Sequence, residues 1–315
     1  NALTASGMEV VPSLYNLLVR LKNEGYNVGK LPANPQELAK MIQAQGAVFG
    51  TYAEGAYTKF LQSGHPALVT AHQFAGWTQK ALSKKMIKEM NQLYGSFPGK
   101  YMATDDGKLA VARLQFGNVV LLPQVMAGVG GDSFKIVHGT DQAPPYTYVA
   151  SYLWARYGFS ADALIHFGTH GSLEYTPRKQ VALGSNDWSD RLIGVVPHFY
   201  IYTIGNVGEA MIAKRRTYAQ TQSYLTPPFK ESELRQTYKQ LSDAIQSYEK
   251  KATVEQSLKV KALTVKMGIA RELGLDAKQM NKPYSADEIA RVENYAEELA
   301  NEKITGKLYT LGVPY

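Results

Sequence analysis

The chain has 315 residues, 45% hydrophobic and 19% charged, and no cysteine. That length can bury a large core, and the missing thiols exclude disulfides, thiolate metal sites and cysteine nucleophiles. Net charge is +7, but the lysines are spread out, so no nucleic-acid footprint is expected; no apolar run approaches the roughly 18 residues of a membrane span, and the composition suits a cytoplasmic protein.

The first predicted elements are helices. Leu14, Leu17, Leu18 and Leu21 recur at helical spacing within Ser13–Tyr26, and Gly25 ends that helix. Pro35–Ala44 reads as a second, shorter helix, and Gly46–Gly64 is mixed. Thr70–Tyr94, rich in lysine, reads as one helix closed by Gly95. Gly117–Gln124 reads as a buried strand, because Asn118 leads into the apolar run Val119–Leu122. Gly128–Asp132 is a glycine-rich loop but not a phosphate loop. The Gly-Lys pairs that begin at Gly29, Gly99, Gly107 and Gly306 all lack the following Ser or Thr, so no ATP site is legible. His138 reads as a loop histidine, and Tyr148–Tyr157 as a helix.

The chemistry concentrates in Asp162–Lys179, DALIHFGTHGSLEYTPRK. The apolar run Ala163–Phe167, with His166 inside it, reads as a buried strand. Gly168-Thr169-His170-Gly171 is too rich in glycine to continue it, and Ser172 is a good cap for a short helical start. Open α/β sheets bind ligands outside the carboxyl ends of their strands, and this turn stands at such an end. His166, His170, Glu174 and Lys179 fall together here. Imidazole and carboxylate are the groups that take a proton from a weak acid or hold a borderline divalent metal. Each has an ordinary alternative: a satisfied core histidine, a surface carboxylate, a solvated lysine. A zinc hydrolase would carry His-Glu-x-x-His on one helix, and Phe167 stands where that Glu belongs.

Beyond it, Leu192–Val196 and Phe199–Ile204 read as strands, His198 as a loop histidine and Gly205-Asn206 as a turn. Gly208–Tyr218 reads as a helix carrying Glu209, Lys214, Arg215 and Arg216. These charges suit either an ion-pair network joining helix to sheet or the acid groups of a ligand. From Lys230 the composition turns to charged amphipathic helices: Glu231–Lys251, Val254–Leu273 and Ala286–Lys303. The predicted fold is α/β: a central, largely parallel sheet flanked by helices in residues 1–228, with a helical region, residues 229–315, packing on it. Pro227-Pro228 marks the boundary.

Two long motifs, HFGTHGSLEYTPRKQVALGSNDWSDRLIG and IYTIGNVGEAMIAKRRTYAQTQSYLTPPF, resemble the large subunit of the class I tetrapyrrole chelatases. That family comprises the CobN-type subunit of aerobic cobaltochelatase and the H subunit of magnesium chelatase. The resemblance runs from MEVVPSLYNLLVRLKNEGYNVGKLP to KLYTLGVPY and identifies the chain as a central fragment of a longer protein. It implies insertion of a divalent metal into a tetrapyrrole ring, with ATP hydrolysed by an AAA+ partner that acts with a companion chelatase subunit. Trp188 and His138 are similar to the cobalt branch, which implies Co²⁺, a hydrogenobyrinate a,c-diamide ring and cobalamin synthesis. Mg²⁺ with protoporphyrin is the nearest alternative, and a non-catalytic tetrapyrrole or metal carrier is another. On this resemblance His166 and His170 serve as metal contacts or proton acceptors, and Glu174 shares the base role. Lys179, His138, Lys214, Arg215 and Arg216 bind the substrate. Four positions depart from the family: Gln73 replaces a glutamate, Tyr146-Thr147 replace a histidine pair, and Arg178 replaces a glycine.

Overall fold

In the computed structural model, which describes residues 7–45, 56–125, 142–225, 229–230, 234–301, 304–305 and 308–313, the chain divides into two compact units. The first is Asn1–Thr226 with Leu308–Tyr315, the second Pro227–Lys307. The end of the chain thus belongs to the first unit, whereas the sequence placed it in the helical region. Met8 bridges to Tyr309, and Tyr309 stacks on Tyr224 with ring centroids 5.3 Å apart.

The first unit opens with helices α1 (Val10–Asn23), α2 (Pro35–Gln45) and α3 (Ala56–Ser63). Strand β1 (Ala67–Val69) leads to α4 (Ala71–Ala81) and α5 (Lys84–Tyr94), followed by β2 (Leu109–Val111), β3 (Leu114–Phe116) and β4 (Val119–Leu121). Then come α6 (Tyr146–Leu153), β5 (Leu164–Phe167), α7 (Trp188–Ile193), β6 (His198–Thr203), α8 (Val207–Arg216) and β7 (Gln220–Tyr224). The second unit holds β8 (Phe229–Lys230), α9 (Leu234–Lys250), α10 (Val254–Lys266), α11 (Ile269–Glu272), α12 (Ala286–Asn301) and β9 (Ile304–Thr305). No described helix is long and apolar enough to cross a membrane.

The fold is mixed α/β, and its central feature is the parallel sheet β5-β6-β7. Register pairs Leu164 with His198 and His166 with Tyr200. Side chains alternate faces along a strand, so His166 and Tyr200 lie side by side, ring centroids 4.8 Å apart. Phe167, Ile201 and Tyr224 share a cluster with Met8. The larger core joins Met86 and Met90 of α5, Tyr148 and Leu153 of α6, and Trp188 and Leu192 of α7. A fully buried large apolar side chain contributes about 1.5–3 kcal/mol. In the second unit Leu241, Ile245, Val260, Tyr284, Ile289 and Val292 form a separate core. Lys261 is buried within that unit, and its ammonium donates to Asp276 Oδ2 at 2.8 Å and to the carbonyls of Gln279 and Lys282.

Several elements differ from their prediction for local reasons. The single helix expected over Thr70–Tyr94 is two, because Leu82 is extended and Ser83 caps α5 by accepting from the Met86 N–H at 3.2 Å. The strand expected over Gly117–Gln124 is half of an antiparallel hairpin, in which Phe116 faces Val119 across a turn where Gly117 takes φ +55°. The strand expected over Leu192–Val196 is the end of α7: Trp188 and Leu192, one helical turn apart, both enter the core, and Val195 is 95% exposed. His198 is no loop histidine but the first residue of β6, buried, with Nδ1 3.0 Å from the Thr217 hydroxyl.

Arg216, the last residue of α8, is 1% exposed. Its guanidinium donates to the Glu174 carbonyl and, at 3.3 Å, to the Pro177 carbonyl, tying the helix to the segment after β5. It was expected to bind substrate; burial and these two bonds commit it to the fold. Arg216→Met keeps the volume and strips two buried carbonyls of their donor, so urea unfolding should register a loss of about 2–4 kcal/mol. Unchanged stability with weakened ligand binding would return Arg216 to the substrate.

Candidate functional site

The turn after β5 is pinned to the end of β6. Thr169, buried, accepts the Thr203 N–H at its hydroxyl oxygen, 3.0 Å away. This brings His170 to the carboxyl end of the sheet, where α8 begins. The His170 side chain is 66% exposed, and its Nδ1 lies 2.6 Å from Oε2 of Glu209, whose side chain is 1% exposed. Glu209 sits in the first turn of α8, where the helix dipole favours a negative charge. Its Oε1 accepts from the Gly171 N–H at 2.8 Å and from the Tyr200 hydroxyl, and its Oε2 also accepts from the Asn206 amide. An ionised carboxylate only accepts. The His170 Nδ1 therefore carries the hydrogen, and a neutral His170 keeps its Nε2 lone pair free on the exposed ring.

Glu209 and Glu174 are driven in opposite directions. Burial alone would raise the Glu209 carboxyl, but hydrogen bonds from Tyr200, His170 and Gly171 outweigh it and hold the group below the ordinary range. Glu174, 2% exposed, is pushed up to about 8, first by burial and then by the charge of Glu209. Its Oε1 has no partner. At neutral pH Glu209 is ionised and Glu174 is mostly protonated, the separation that lets two carboxyls take different roles. Gly171 stands against both: a Cβ there would lie 1.9 Å from Glu174 Oε1, so only glycine admits this approach. Burial and the two glutamates raise Tyr200 far above the ordinary phenol range, which keeps it a donor.

His166 is half-buried. Burial, and then the nearby His198, push it down to about 4, so it is neutral at physiological pH. Its Nε2 lies 3.3 Å from the His170 carbonyl oxygen. His166 Nε2 thus meets the backbone of His170 rather than its ring, and among the described residues no three His, Asp or Glu side chains converge on a metal position. The structure brings His166, His170 and Glu174 to one end of the sheet. Lys179, Lys214 and Arg215 are exposed; the last two stand at the far end of α8 from Glu209, roughly 8 Å along its axis. His138 lies outside the described residues. Arg178 adopts φ +92°, a conformation suited to the glycine that the resemblance implies there, and its guanidinium pairs with Glu89 of α5.

Sequence reasoning noted Glu209 without choosing between ion pair and ligand, and it missed Tyr200 and Asn206 as members of the site. The signal was partly present: Asn206-Val207-Gly208-Glu209 places an acid three residues after an N-cap residue type, a helix-start pattern, although the Asn206 side chain bonds Glu209 rather than capping the helix. Nothing local says that this acid faces His170, which lies 39 residues earlier in the chain.

The family model described as CobN/Magnesium Chelatase matches residues 1–315. The chain is 36% identical over 245 residues to the H subunit of magnesium chelatase from Rhodobacter capsulatus, covering 78% of this chain and 19% of that protein. It is 30% identical over 312 residues to the corresponding H subunit from Chlorobaculum parvum, covering 98% of this chain and 23% of the relative. With the CobN subunit of aerobic cobaltochelatase from Pseudomonas aeruginosa it shares 30% identity over 227 residues, 72% of this chain and 18% of that one. The chain spans about a fifth of the length of these relatives. With the model match extending from end to end, the chain belongs to the CobN/magnesium chelatase family.

Proposed function

We propose that this chain is part of the large subunit of a tetrapyrrole metal chelatase and supplies its proton acceptor. The observation that supports this most is the His170–Glu209 pair: an exposed imidazole 2.6 Å from a buried carboxylate. Metal insertion requires two pyrrolic protons to leave the ring. The free Nε2 of His170 takes a proton, Glu209 supplies the balancing charge, and Tyr200, Asn206 and Gly171 hold Glu209 in place. Glu174 was expected to share the base role. Being mostly protonated below about pH 8, it acts in this reading as a neutral acid behind the turn. His170 Nε2 also offers one contact to the metal arriving as substrate. Lys179, Lys214 and Arg215, all exposed, are candidates for the ring carboxylates. ATP is hydrolysed by AAA+ partner subunits.

The cobalt reading, with Co²⁺ and a hydrogenobyrinate-type ring, rests on Trp188 and His138. The magnesium reading, with protoporphyrin, is supported by the 36% identity to an H subunit of magnesium chelatase. Insertion assays with each metal and ring, using the whole subunit and its ATPase partners, choose between them. In the productive pairing His170→Ala should slow insertion about 10²-fold or more, and Glu209→Gln should slow it with ring affinity retained. Near-normal turnover of His170→Ala would remove this residue from the mechanism.

Glu174 gives a second test, on stability. Its folded pKa of about 8 lies above the ordinary 4.5, so the folded state binds more protons between those values. This contribution is fully present below pH 4.5 and is lost as pH rises to 8. Glu174→Gln cannot lose a proton. Its Tm should therefore fall less than that of the parent from pH 5 to 8, with the gap widening in its favour. Parallel curves would mean that Glu174 is ionised in the fold.

A further inference from the structure

An open groove of about 620 Å³ runs beside α5, lined by Gln79, Lys84, Ile87, Lys88, Asn91 and Gln92. Gln79 comes from α4; the other five recur at helical spacing along one face of α5. None of the six is acidic. Asn91 accepts the Tyr146 hydroxyl at its Oδ1, 2.6 Å away, so what it offers outward is its NH₂. The lining is thus two ammonium groups and three amides around the apolar Ile87. Lys84 and Lys85 occupy the first turn of α5, where the helix dipole opposes cations, and among the described residues neither Lys84 nor Lys88 has an ion-pair partner. The acid on this helix, Glu89, is neutralised by Arg178.

The rest of α5 is tied to the segment that carries the candidate site. Arg178 reaches Glu89, and the Ser83 hydroxyl donates to Asn186 Oδ1 at 2.6 Å. That segment is closed on itself by Asp187, which accepts from the Lys179 N–H at 3.1 Å and the Gly184 N–H at 2.5 Å. We infer that the groove beside α5 docks an acidic segment of a partner protein, and that its occupation is transmitted to residues 172–187 through the Glu89 and Ser83 contacts. Charge complementarity selects the occupant: unpaired cations and amide donors around an apolar centre match a carboxylate-bearing peptide with an apolar side chain among its acids.

The test is fluorescence anisotropy of a labelled peptide of glutamates with a central leucine, titrated with this chain. Lys84→Glu with Lys88→Glu should weaken binding about tenfold or more. Both lysines are exposed, and Lys84 stands in the first turn, where the helix dipole favours an acid, so lost binding is not lost folding. Lys30→Glu with Lys40→Glu, exposed and on α2 or the loop before it, changes net charge equally and should leave binding intact. Equal loss in both pairs, or no saturable binding by the parent, overturns the docking site; so does tighter competition by single-stranded oligothymidylate, which would make the face a nucleic-acid contact. Hydrogen exchange in residues 172–187 should slow when peptide binds the parent and not when it binds Glu89→Gln. The same exchange with and without peptide in the parent overturns the coupling. Binding is read without turnover, so the outcome stands apart from the role proposed for His170.

Discussion

The buried carboxylate of Glu209 sets the geometry at the end of the sheet. An ionised carboxylate withdrawn from water costs several kcal/mol unless donors replace its hydration. Donors that do so here include the His170 imidazole, the Gly171 amide, the Tyr200 phenol and the Asn206 side chain. They come from the turn after β5, from within β6 and from the turn before α8. Satisfying one charge therefore fixes where three segments stand. A helix N-terminus adds a favourable field. The exposed imidazole inherits its orientation from this arrangement, an exposed ring held by a buried anchor.

Glu174 shows the other outcome of burial. It sits on the same glycine as Glu209, yet its Oε1 finds no donor, and the neighbouring negative charge opposes its ionisation. Two glutamates near one peptide group thus hold different protonation states, because side-chain and backbone donors outweigh burial at Glu209, whereas at Glu174 burial and the charge of Glu209 outweigh its backbone hydrogen bonds. The contrast depends on Gly171, since any side chain there would separate the second carboxyl from the turn.

Arg178 links this site to α5. A non-glycine residue at positive φ carries a conformational cost, and the pair with Glu89 provides an attachment that glycine cannot. On the groove side the same helix carries Lys84 in its first turn, against the helix dipole, and Lys88 one turn on, both without ion-pair partners among the described residues. A local rule broken without internal compensation is where an external partner is expected.

By itself the sequence determined the α/β class, the strand at Leu164–Phe167, the turn that follows it, the α8 helix and the helical character of residues 234–301. These follow from hydrophobic period, glycine and capping residues, all of which act over a few positions. It also placed His166, His170 and Glu174 in one stretch, and its long motifs carried the family. Only the tertiary structure decided which carboxylate meets His170, that Arg216 serves the fold, that His198 is a core residue, and that Glu174 rather than Glu209 is neutral. Those outcomes depend on the crossover that brings α8 back to the turn after β5, and on how many donors reach each buried oxygen. Spacing along the chain does not encode burial or donor count, because both are set by segments that meet only when the sheet closes.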